Sequence, residues 1–165
     1  KIRLDVLKML QHRGYGHLGG SLSIVELMSV LYGKQLHIDP KNPQMPDRDR
    51  VVLSKGHAGP GWYSVLAEKG YFPREDIKTL RKPTSYLQGH PDMKKIPGID
   101  MSSGSLGQGI STAVGMAMAG TPRYETYPWC GYDNRITGTR NQFGCRNRNR
   151  IKVKRFESVC ILYCR

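Results

Sequence analysis

The sequence predicts an α/β fold in which helices flank a parallel sheet, and three stretches of the chain carry this prediction. Residues 50–70 read as a short apolar strand, a glycine-bearing loop and a helix, which together form the unit of a parallel α/β sheet. Helical periodicity precedes this unit, and a Ser/Gly turn after it leads into a helix rich in Ala and Gly.

The first two helices are predicted from the spacing of apolar side chains. In the first helix these side chains recur every three or four residues and share one face: Ile2, Val6, Met9 and Leu10. A second helix is expected between Ser23 and Gly33, with Ser23 as its N-cap and Glu26 completing a capping box. The glycine-rich turn between the two helices holds His17.

The central unit is predicted to contain a strand at 51–53, a loop at 54–59 and a helix at 62–69. Pro73 opens a further short helix, because proline fits the first helical turn. A long ordered loop is expected at 82–101, with His90 between a glycine and a proline. The Ala- and Gly-rich helix then ends near Gly120.

Charge and composition divide the chain near Gly120. The first 120 residues carry 16 Lys and Arg against 10 Asp and Glu, whereas residues 121–165 carry 10 against 3. All four cysteines lie in the second part: Cys130, Cys145, Cys160 and Cys164. We therefore predict an α/β region at 1–120 and a basic tail rich in Cys, Arg and Tyr at 121–165, with no recognised fold.

Several functional classes are not supported by these patterns. No apolar run approaches the roughly 18 residues of a membrane span, and we expect a cytoplasmic protein without a membrane partner. The spacing of the cysteines and histidines does not match a zinc site. Glycines at 104, 107 and 109 give the order G-x-x-G-x-G, which is not the dinucleotide fingerprint, and no P-loop motif is present.

Three histidines, His17, His57 and His90, lie in loops that contain Gly or Pro. Loops at strand ends build the ligand sites of α/β folds, so these imidazoles are candidates for an anion or phosphate site and for proton transfer. The alternative is that each is an ordinary loop histidine bonded to a nearby carbonyl. His12 and His37 lack this setting and are predicted to lie on the surface.

Four stretches in a fixed order resemble the start of the transketolase N-terminal, thiamine-diphosphate-binding domain: GHLGGSLSIVELMSVLY, DRVVLSKGHAGPGWYSVLAEKGYF, GHPD and SSGSLGQGISTAVGMAMA. The SKGHA and GSLGQG forms are similar to those of split-subunit transketolases, and the resemblance runs from Lys1 to about Gly120. It implies transfer of a two-carbon ketol unit between sugar phosphates of the pentose phosphate type, with thiamine diphosphate and magnesium as cofactors. It also implies a partial thiamine-diphosphate-binding fold, with a parallel sheet that is incomplete on its C-terminal side. A dimer and a pyrimidine-binding partner subunit are implied as well.

The resemblance implies roles for individual residues. His17 and His57 would line the cleft, with His57 close to the cofactor diphosphate, and His90 would face the donor substrate near the reacting carbon. Gly104 and Leu106 would contact the pyrimidine and thiazolium side of the cofactor. Imidazoles suit such a site because they can donate or shuttle protons during the reaction. The neighbours of His57 at positions 54 and 55 are interpreted as loop scaffold.

Two departures from the family pattern lie beside His17. Leu18 stands where the family usually has Pro, and Tyr15 stands where a small Ser is common. Because Pro fixes its own backbone angle, we expect Leu18 to loosen the His17 loop.

The tail lacks the family's magnesium motif. Residues 121–165 contain no Gly-Asp-Gly, and their one aspartate, Asp133, is followed by Asn134 without the family spacing, so no metal ligand is assigned. We expect a loss of reading frame near Gly120, which leaves a truncated fragment without activity of its own. A genuine accessory tail and RNA binding are the alternatives, although no RNA module fits.

Two further expectations remain open at this point. Within the tail, only RIKVKRFESVCILYC alternates well enough to suggest a lone strand or hairpin. Among enzymes, the nearest rival to transketolase is deoxyxylulose-phosphate synthase, another thiamine diphosphate enzyme of this fold.

Overall fold

The structure is a computed structural model and describes residues 1–46, 48–119, 151–156 and 159–164. Its helices and strands follow in chain order: α1 (Ile2–Arg13), α2 (Leu18–Leu22), α3 (Val25–Val30), β1 (Arg50–Leu53), α4 (Gly59–Lys69), α5 (Gln108–Ala119), β2 (Ile151–Phe156) and β3 (Val159–Cys164). A π-helical turn at Leu31–Gln35 continues α3, and 3-10 turns at Gly56–Ala58 and Arg74–Thr79 lie before and after α4. The described part of the chain is thus mainly helical, with a small sheet.

Helix α4 forms the centre of the hydrophobic core. Trp62, Tyr63 and Leu66 on this helix are fully buried, and α1 and α3 pack against it. The indole N–H of Trp62 donates a hydrogen bond of 2.8 Å to the hydroxyl of Tyr32, so the polar end of the buried indole is satisfied. Burying a large apolar side chain of this kind stabilises a fold by about 1.5–3 kcal/mol. The three helices therefore provide the rigid base on which the loops of the site rest.

The carboxylate of Asp100 joins the start of β1 to the segment that precedes α5. It is almost fully buried and forms ion pairs with Arg48 and, at 3.3 Å, with Arg50. It also accepts a hydrogen bond of 2.9 Å from the backbone N–H of Val51. A buried carboxylate is tolerated only when it is paired and hydrogen-bonded, so this network fixes the position of β1 relative to the segment around residue 100.

The sheet differs from the predicted parallel arrangement. Within the described residues it has three strands in the order β1-β3-β2, and both pairs are antiparallel. The register places Arg50 opposite Leu162 and Leu53 opposite Val159. An isolated strand exposes unpaired N–H and C=O groups, and the alternating tail segment supplies an extended partner for them. Of the lone strand and the hairpin that the tail sequence suggested, the structure contains the hairpin. Its docking on β1 was not predicted.

The helix predictions hold in part. Helix α1 forms where the apolar spacing predicted it and ends before Gly14, whose backbone is left-handed with φ 83°. Helix α4 starts three residues earlier than predicted, because Pro60 lies in its first turn. The prediction of a capping box is wrong. The hydroxyl of Ser23 donates to the carbonyl of Gly20 at 3.0 Å. The carboxylate of Glu26 pairs with the guanidinium of Arg3 on α1.

Other predictions concern the surface and the tail. His12 and His37 are exposed, as predicted. Among the residues described, no helix combines the length and the apolar character that crossing a membrane requires. The predictions made for Asp133 and Asn134 lie outside the described residues, as do those for the first two cysteines of the tail.

We predict that Asp100→Ala destabilises the fold by about 3–5 kcal/mol, because it leaves the guanidinium of Arg48 buried without its partner. The matched control is Arg3→Ala, which breaks an ion pair with Glu26 in which both side chains are more than 60% exposed. An exposed pair contributes less than about 1 kcal/mol. Urea unfolding measures both variants, and equal effects would contradict the role given to Asp100.

Candidate functional site

Three loops meet at the end of β1. The first precedes α2 and carries His17, the second follows β1 and carries Lys55 and His57, and the third comes directly before α5. A fourth segment, around His90, lies against the third loop. Glycine-rich loops that converge at a strand end form the usual ligand site of α/β folds, so the structure brings the predicted histidines to a position where a site is expected.

The imidazoles of His17 and His57 lie beside each other. Their ring centroids are 5.0 Å apart, and the rings meet edge to face with an interplanar angle of 61°. The backbone of α2 packs closely against the second ring, since a Cβ atom added at Gly20 would lie 2.8 Å from Cδ2 and 2.9 Å from Nε2 of His57. Side chains 40 positions apart in sequence thus lie next to each other.

The ring of His90 lies near the loop before α5. A Cβ atom added at Gly104 would lie 3.8 Å from Cδ2 of His90, which is ordinary van der Waals contact. Leu106, two residues further along the same loop, has a side chain that is 70% exposed. The structure therefore brings His90 and Gly104 together, and it leaves the side chain of Leu106 open to a ligand or a partner.

Two hydrogen bonds hold the segment that carries His90. The backbone N–H of Ser103 donates to the carbonyl of Pro91 at 3.3 Å. The hydroxyl of Tyr63 on α4 donates to the carbonyl of Gln88 at 2.9 Å. Burial raises the pKa of the Tyr63 phenol, so it remains a neutral donor. The position of His90 is thus set by the hydrophobic core, through Tyr63, and by the loop before α5, through Ser103.

The loop after β1 and the loop before α5 approach each other through glycine. A Cβ atom added at Gly56 would lie 2.4 Å from the carbonyl oxygen of Ser103, and one at Gly109 would lie 2.7 Å from Cα of Ser54. The backbone N–H of Gly107 donates to the carbonyl of Ser54 at 3.0 Å. Neither Gly56 nor Gly109 can be replaced without moving backbone, a packing requirement that sequence reasoning missed.

The side chains around these loops fit a polar, phosphate-bearing group. The hydroxyls of Ser54 and Ser103 are buried and have no hydrogen-bond partner within the described part of the chain. Such hydroxyls normally find a partner when buried, and ligand oxygens would supply one. The imidazoles of the converging loops are further hydrogen-bonding groups. This donor set matches the diphosphate of a cofactor better than an apolar ligand.

The electrostatic surroundings keep His57 neutral. Its pKa is lowered from the ordinary value by partial burial and then by the positive charges of His17, Lys55 and His90. The ammonium of Lys55 is held in place by the hydroxyl of Ser23 at 2.6 Å. Lys55, interpreted from sequence as scaffold, is therefore also a fixed charge that acts on His57. This contact is visible only in the structure, because Ser23, which holds the ammonium of Lys55, lies 32 positions earlier in the chain.

A cavity of about 630 Å³ opens beside His90 and is lined in addition by Arg81, Gln88, Asp92 and Lys94. The guanidinium of Arg81 packs directly on the backbone before His90, since a Cβ atom added at Gly89 would lie 3.2 Å from its Cζ and Nε atoms. Two fixed cations and one carboxylate give the cavity a positive balance. Sequence reasoning did not single out Arg81 or Lys94.

No metal site is present among the described residues: they contain no group of three His, Cys, Asp or Glu side chains that could hold a metal ion. The family's magnesium therefore has no ligand set in this part of the chain.

The fold and the converging loops are those of an α/β domain with a candidate ligand site, and comparison with known proteins identifies its family. Residues 1–137 match the family described as "Transketolase, thiamine diphosphate binding domain". The chain therefore belongs to this family of transketolase domains. The match extends beyond Gly120, and the domain boundary predicted there stays a prediction.

Curated relatives and a solved structure agree with this assignment. The chain is 55% identical over 118 residues to the 6-deoxy-6-sulfo-D-fructose transketolase subunit SqwG of Clostridium sp., covering 72% of this chain and 43% of that protein. It is 44% identical over 104 residues to a subunit of the apulose-4-phosphate transketolase of Actinobacillus succinogenes, covering 63% and 38%. The transketolase of Pichia stipitis in complex with sedoheptulose-7-phosphate superposes with a TM-score of 0.65 at 35% identity, covering 72% of this chain and 18% of that one.

The chain thus spans less than half the length of these two curated relatives. Both carry the name transketolase, as does the solved structure. This agreement favours transketolase over the deoxyxylulose-phosphate synthase alternative.

We predict that Gly20→Ala displaces the ring of His57 and destabilises the fold by about 1–3 kcal/mol, because the added methyl group overlaps the imidazole. The matched control is Gly19→Ala in the same helix, where a Cβ atom would meet nothing within 4 Å. The control should be neutral or slightly stabilising. The chemical shifts of His57 report displacement, and unchanged shifts in Gly20→Ala would contradict the packing described here.

We predict that His57 binds its proton only below the pH at which an ordinary histidine does, because burial and neighbouring positive charges disfavour the imidazolium. Any activity that needs neutral His57 should persist to lower pH and be lost as the pH falls through this lowered pKa. Lys55→Met removes one of the charges and should raise the pKa of His57, whereas Lys8→Met, on the exposed face of α1, should not. NMR titration of the imidazole signals distinguishes these results.

Proposed function

We propose that this chain forms part of the thiamine-diphosphate site of a transketolase, which transfers a two-carbon ketol unit between sugar phosphates. The observation that carries the proposal is the contact between His17 and His57 against a glycine-lined loop, in a chain that belongs to a thiamine diphosphate binding family. The name of one relative gives a sulfosugar, 6-deoxy-6-sulfo-D-fructose, as its substrate, and the name of another gives a sugar phosphate, apulose-4-phosphate. We also propose sugar phosphates of the pentose phosphate type as substrates and the cytoplasm as the compartment.

In this proposal the described residues bind and orient the cofactor. His57 donates a hydrogen bond to the diphosphate, and the hydroxyls of Ser54 and Ser103 are further donors at the same loops. Gly104 and Leu106 face the pyrimidine and thiazolium side, where the exposed side chain of Leu106 offers apolar contact. When bound, thiamine diphosphate supplies the carbon nucleophile and the electron sink of the reaction. Close packing of the loops excludes water from that region.

The histidines handle protons in this scheme. A neutral imidazole can accept a proton from a sugar hydroxyl at one nitrogen and donate one from the other. In the ligand-free protein His57 is held in that neutral state by its surroundings. His17 lies at 5.0 Å from it and His90 borders the cavity, so both are proposed to contact hydroxyl groups of the substrate as its carbon–carbon bond breaks.

The cavity beside His90 is the proposed substrate entrance. Its cations, Arg81 and Lys94, suit the phosphate of a sugar phosphate, because a guanidinium or an ammonium forms charge-assisted hydrogen bonds with phosphate oxygens. A volume of about 630 Å³ is within the usual range for small-molecule sites.

Magnesium belongs to the proposal through the family resemblance alone. The described residues do not fit a metal site, so no ligand is assigned to them and no step is derived from the ion. The relatives that are named as subunits support the presence of a second protein, for which we propose a pyrimidine-binding partner, within a dimer. No nucleic acid is part of the proposal.

The experiment is a titration of the chain with thiamine diphosphate, with and without Mg²⁺, followed by the NMR signals of the histidines. We expect the signals of His57 to shift and His57→Ala to weaken binding roughly two- to ten-fold, the range of one hydrogen bond. His12→Ala, on the exposed face of α1, is the control and should bind as the native chain does. Ketol transfer is then assayed in the presence of a pyrimidine-binding partner protein. A chain that shows no saturable shift under either condition would overturn the proposal.

A further inference from the structure

The hydroxyl group of Tyr63 contacts the segments that carry His57 and His90. It donates a hydrogen bond of 2.9 Å to the carbonyl of Gln88, two positions before His90. It also lies close to Gly59, two positions after His57, because a Cβ atom added at Gly59 would lie 3.0 Å from the phenol oxygen. One oxygen atom is thus in contact with both segments, although they are distant in sequence.

Helix α4 fixes this hydroxyl relative to His57. The helix begins at Gly59, directly after the 3-10 turn at Gly56–Ala58 that contains His57. Tyr63 lies about one turn further along the helix and is fully buried. A close-packed interior leaves a buried aromatic ring little room to move. The phenol oxygen therefore lies at a set distance from the loop of His57.

Backbone hydrogen bonds also hold the residues next to Gln88 and His90. The carbonyl of Leu87 accepts at 2.7 Å and that of Pro91 accepts at 3.3 Å, each from a backbone N–H. A side-chain substitution leaves those two donors in place. The bond from Tyr63, by contrast, depends on one side-chain oxygen and joins this segment to the hydrophobic core. It can therefore be removed by deleting a single atom.

The phenol of Tyr63 keeps its proton, so this hydrogen bond does not change with pH in the neutral range. Burial raises the pKa of the phenol, and the negative charge of Asp92 raises it further. A buried hydroxyl without a partner is costly, which favours the bond to the carbonyl of Gln88. The bond is therefore retained while the imidazoles of the site gain or lose protons.

We propose that Tyr63 is a positioning residue, which sets the position of His90 relative to His57 and thereby the proton transfer at the site. This inference rests on the proposed function, because that function supplies the reaction in which the two imidazoles take part. Because Tyr63 is fully buried, it acts through the carbonyl of Gln88. Proton transfer needs donor and acceptor atoms about 2.6–3.2 Å apart, and a displacement of about 1 Å can lower a rate roughly 100-fold. Small movements of His90 should therefore change the rate of ketol transfer.

The test is Tyr63→Phe, which keeps the ring and removes the hydroxyl. In the ligand-free chain we expect the NMR signals of the His90 ring to shift and those of His57 to stay, because α4 keeps its place. The matched control is Tyr32→Phe. It removes the buried hydroxyl that accepts a hydrogen bond of 2.8 Å from Trp62, also on α4, and should leave the signals of His90 unchanged.

A second measurement is the rate of ketol transfer in the presence of a pyrimidine-binding partner protein. Tyr63→Phe should lower kcat by about three- to ten-fold, because a displaced His90 transfers protons less efficiently. The KM for thiamine diphosphate should change by less than about twofold, because the loop of His57 stays in place. A general loss of stability would lower the rate in Tyr32→Phe as well.

Unchanged signals of His90 in Tyr63→Phe would overturn the proposal, as would an equal shift in Tyr32→Phe. A shift of His90 without any loss of kcat would also overturn it. A native chain without thiamine diphosphate binding or ketol transfer overturns the proposed function instead. In that case the signals of His90 in the ligand-free chain still decide separately whether Tyr63 positions His90.

Discussion

Close contact between backbones that only glycine permits is the constraint on which the site depends. The loop after β1 touches its neighbours at Gly56, where a side chain would overlap the carbonyl of Ser103, and the ring of His57 touches α2 at Gly20. These contacts bring together loops that are far apart in sequence. Because interiors are close-packed and resist even one added methyl group, the loops have little freedom to separate. The proximity of the three histidines is a consequence of this packing.

The same loops are positioned from the other side by a buried charge. Asp100 pairs with Arg48 and Arg50 and accepts the N–H of Val51, at the first residues of β1. Three positions later the chain reaches Ser103, whose carbonyl meets the loop at the other end of the strand. A strand of four residues is thus held at its start by a carboxylate and at its end by glycine contacts. Removing the carboxylate would disturb the site as well as the fold, because both depend on the same short strand.

Local signals in the sequence predicted the helices and strands. The contacts between loops and the pairing of β1 with β3 depend on long-range contacts and were not predicted. The periodicity of α1, the apolar strand and the alternation in the tail are properties of neighbouring residues, and the structure contains all three elements. Glycine or proline beside His17, His57 and His90 marked the loops that the structure brings together. The contact of Lys55 with Ser23 and that of Arg81 with Tyr15 join positions 32 and 66 residues apart, which no local pattern encodes. The sheet was predicted to be parallel and the antiparallel pairing of β1 with β3 was not predicted, for the same reason, since sheet order is a property of the whole chain.

The preferred charge of His57 follows from this geometry and changes when an anion binds. In the free protein, burial and the charges of His17, Lys55 and His90 lower the pKa of His57, so the cluster excludes a further proton. An anionic group placed among these side chains favours the imidazolium instead, because an opposite charge raises the pKa of a base. Proton uptake and anion binding are therefore linked, and each promotes the other. The diphosphate that we propose as ligand should consequently bind more tightly as the pH falls through the raised pKa of His57. The packing that crowds positive charges around one imidazole thus favours an anionic ligand.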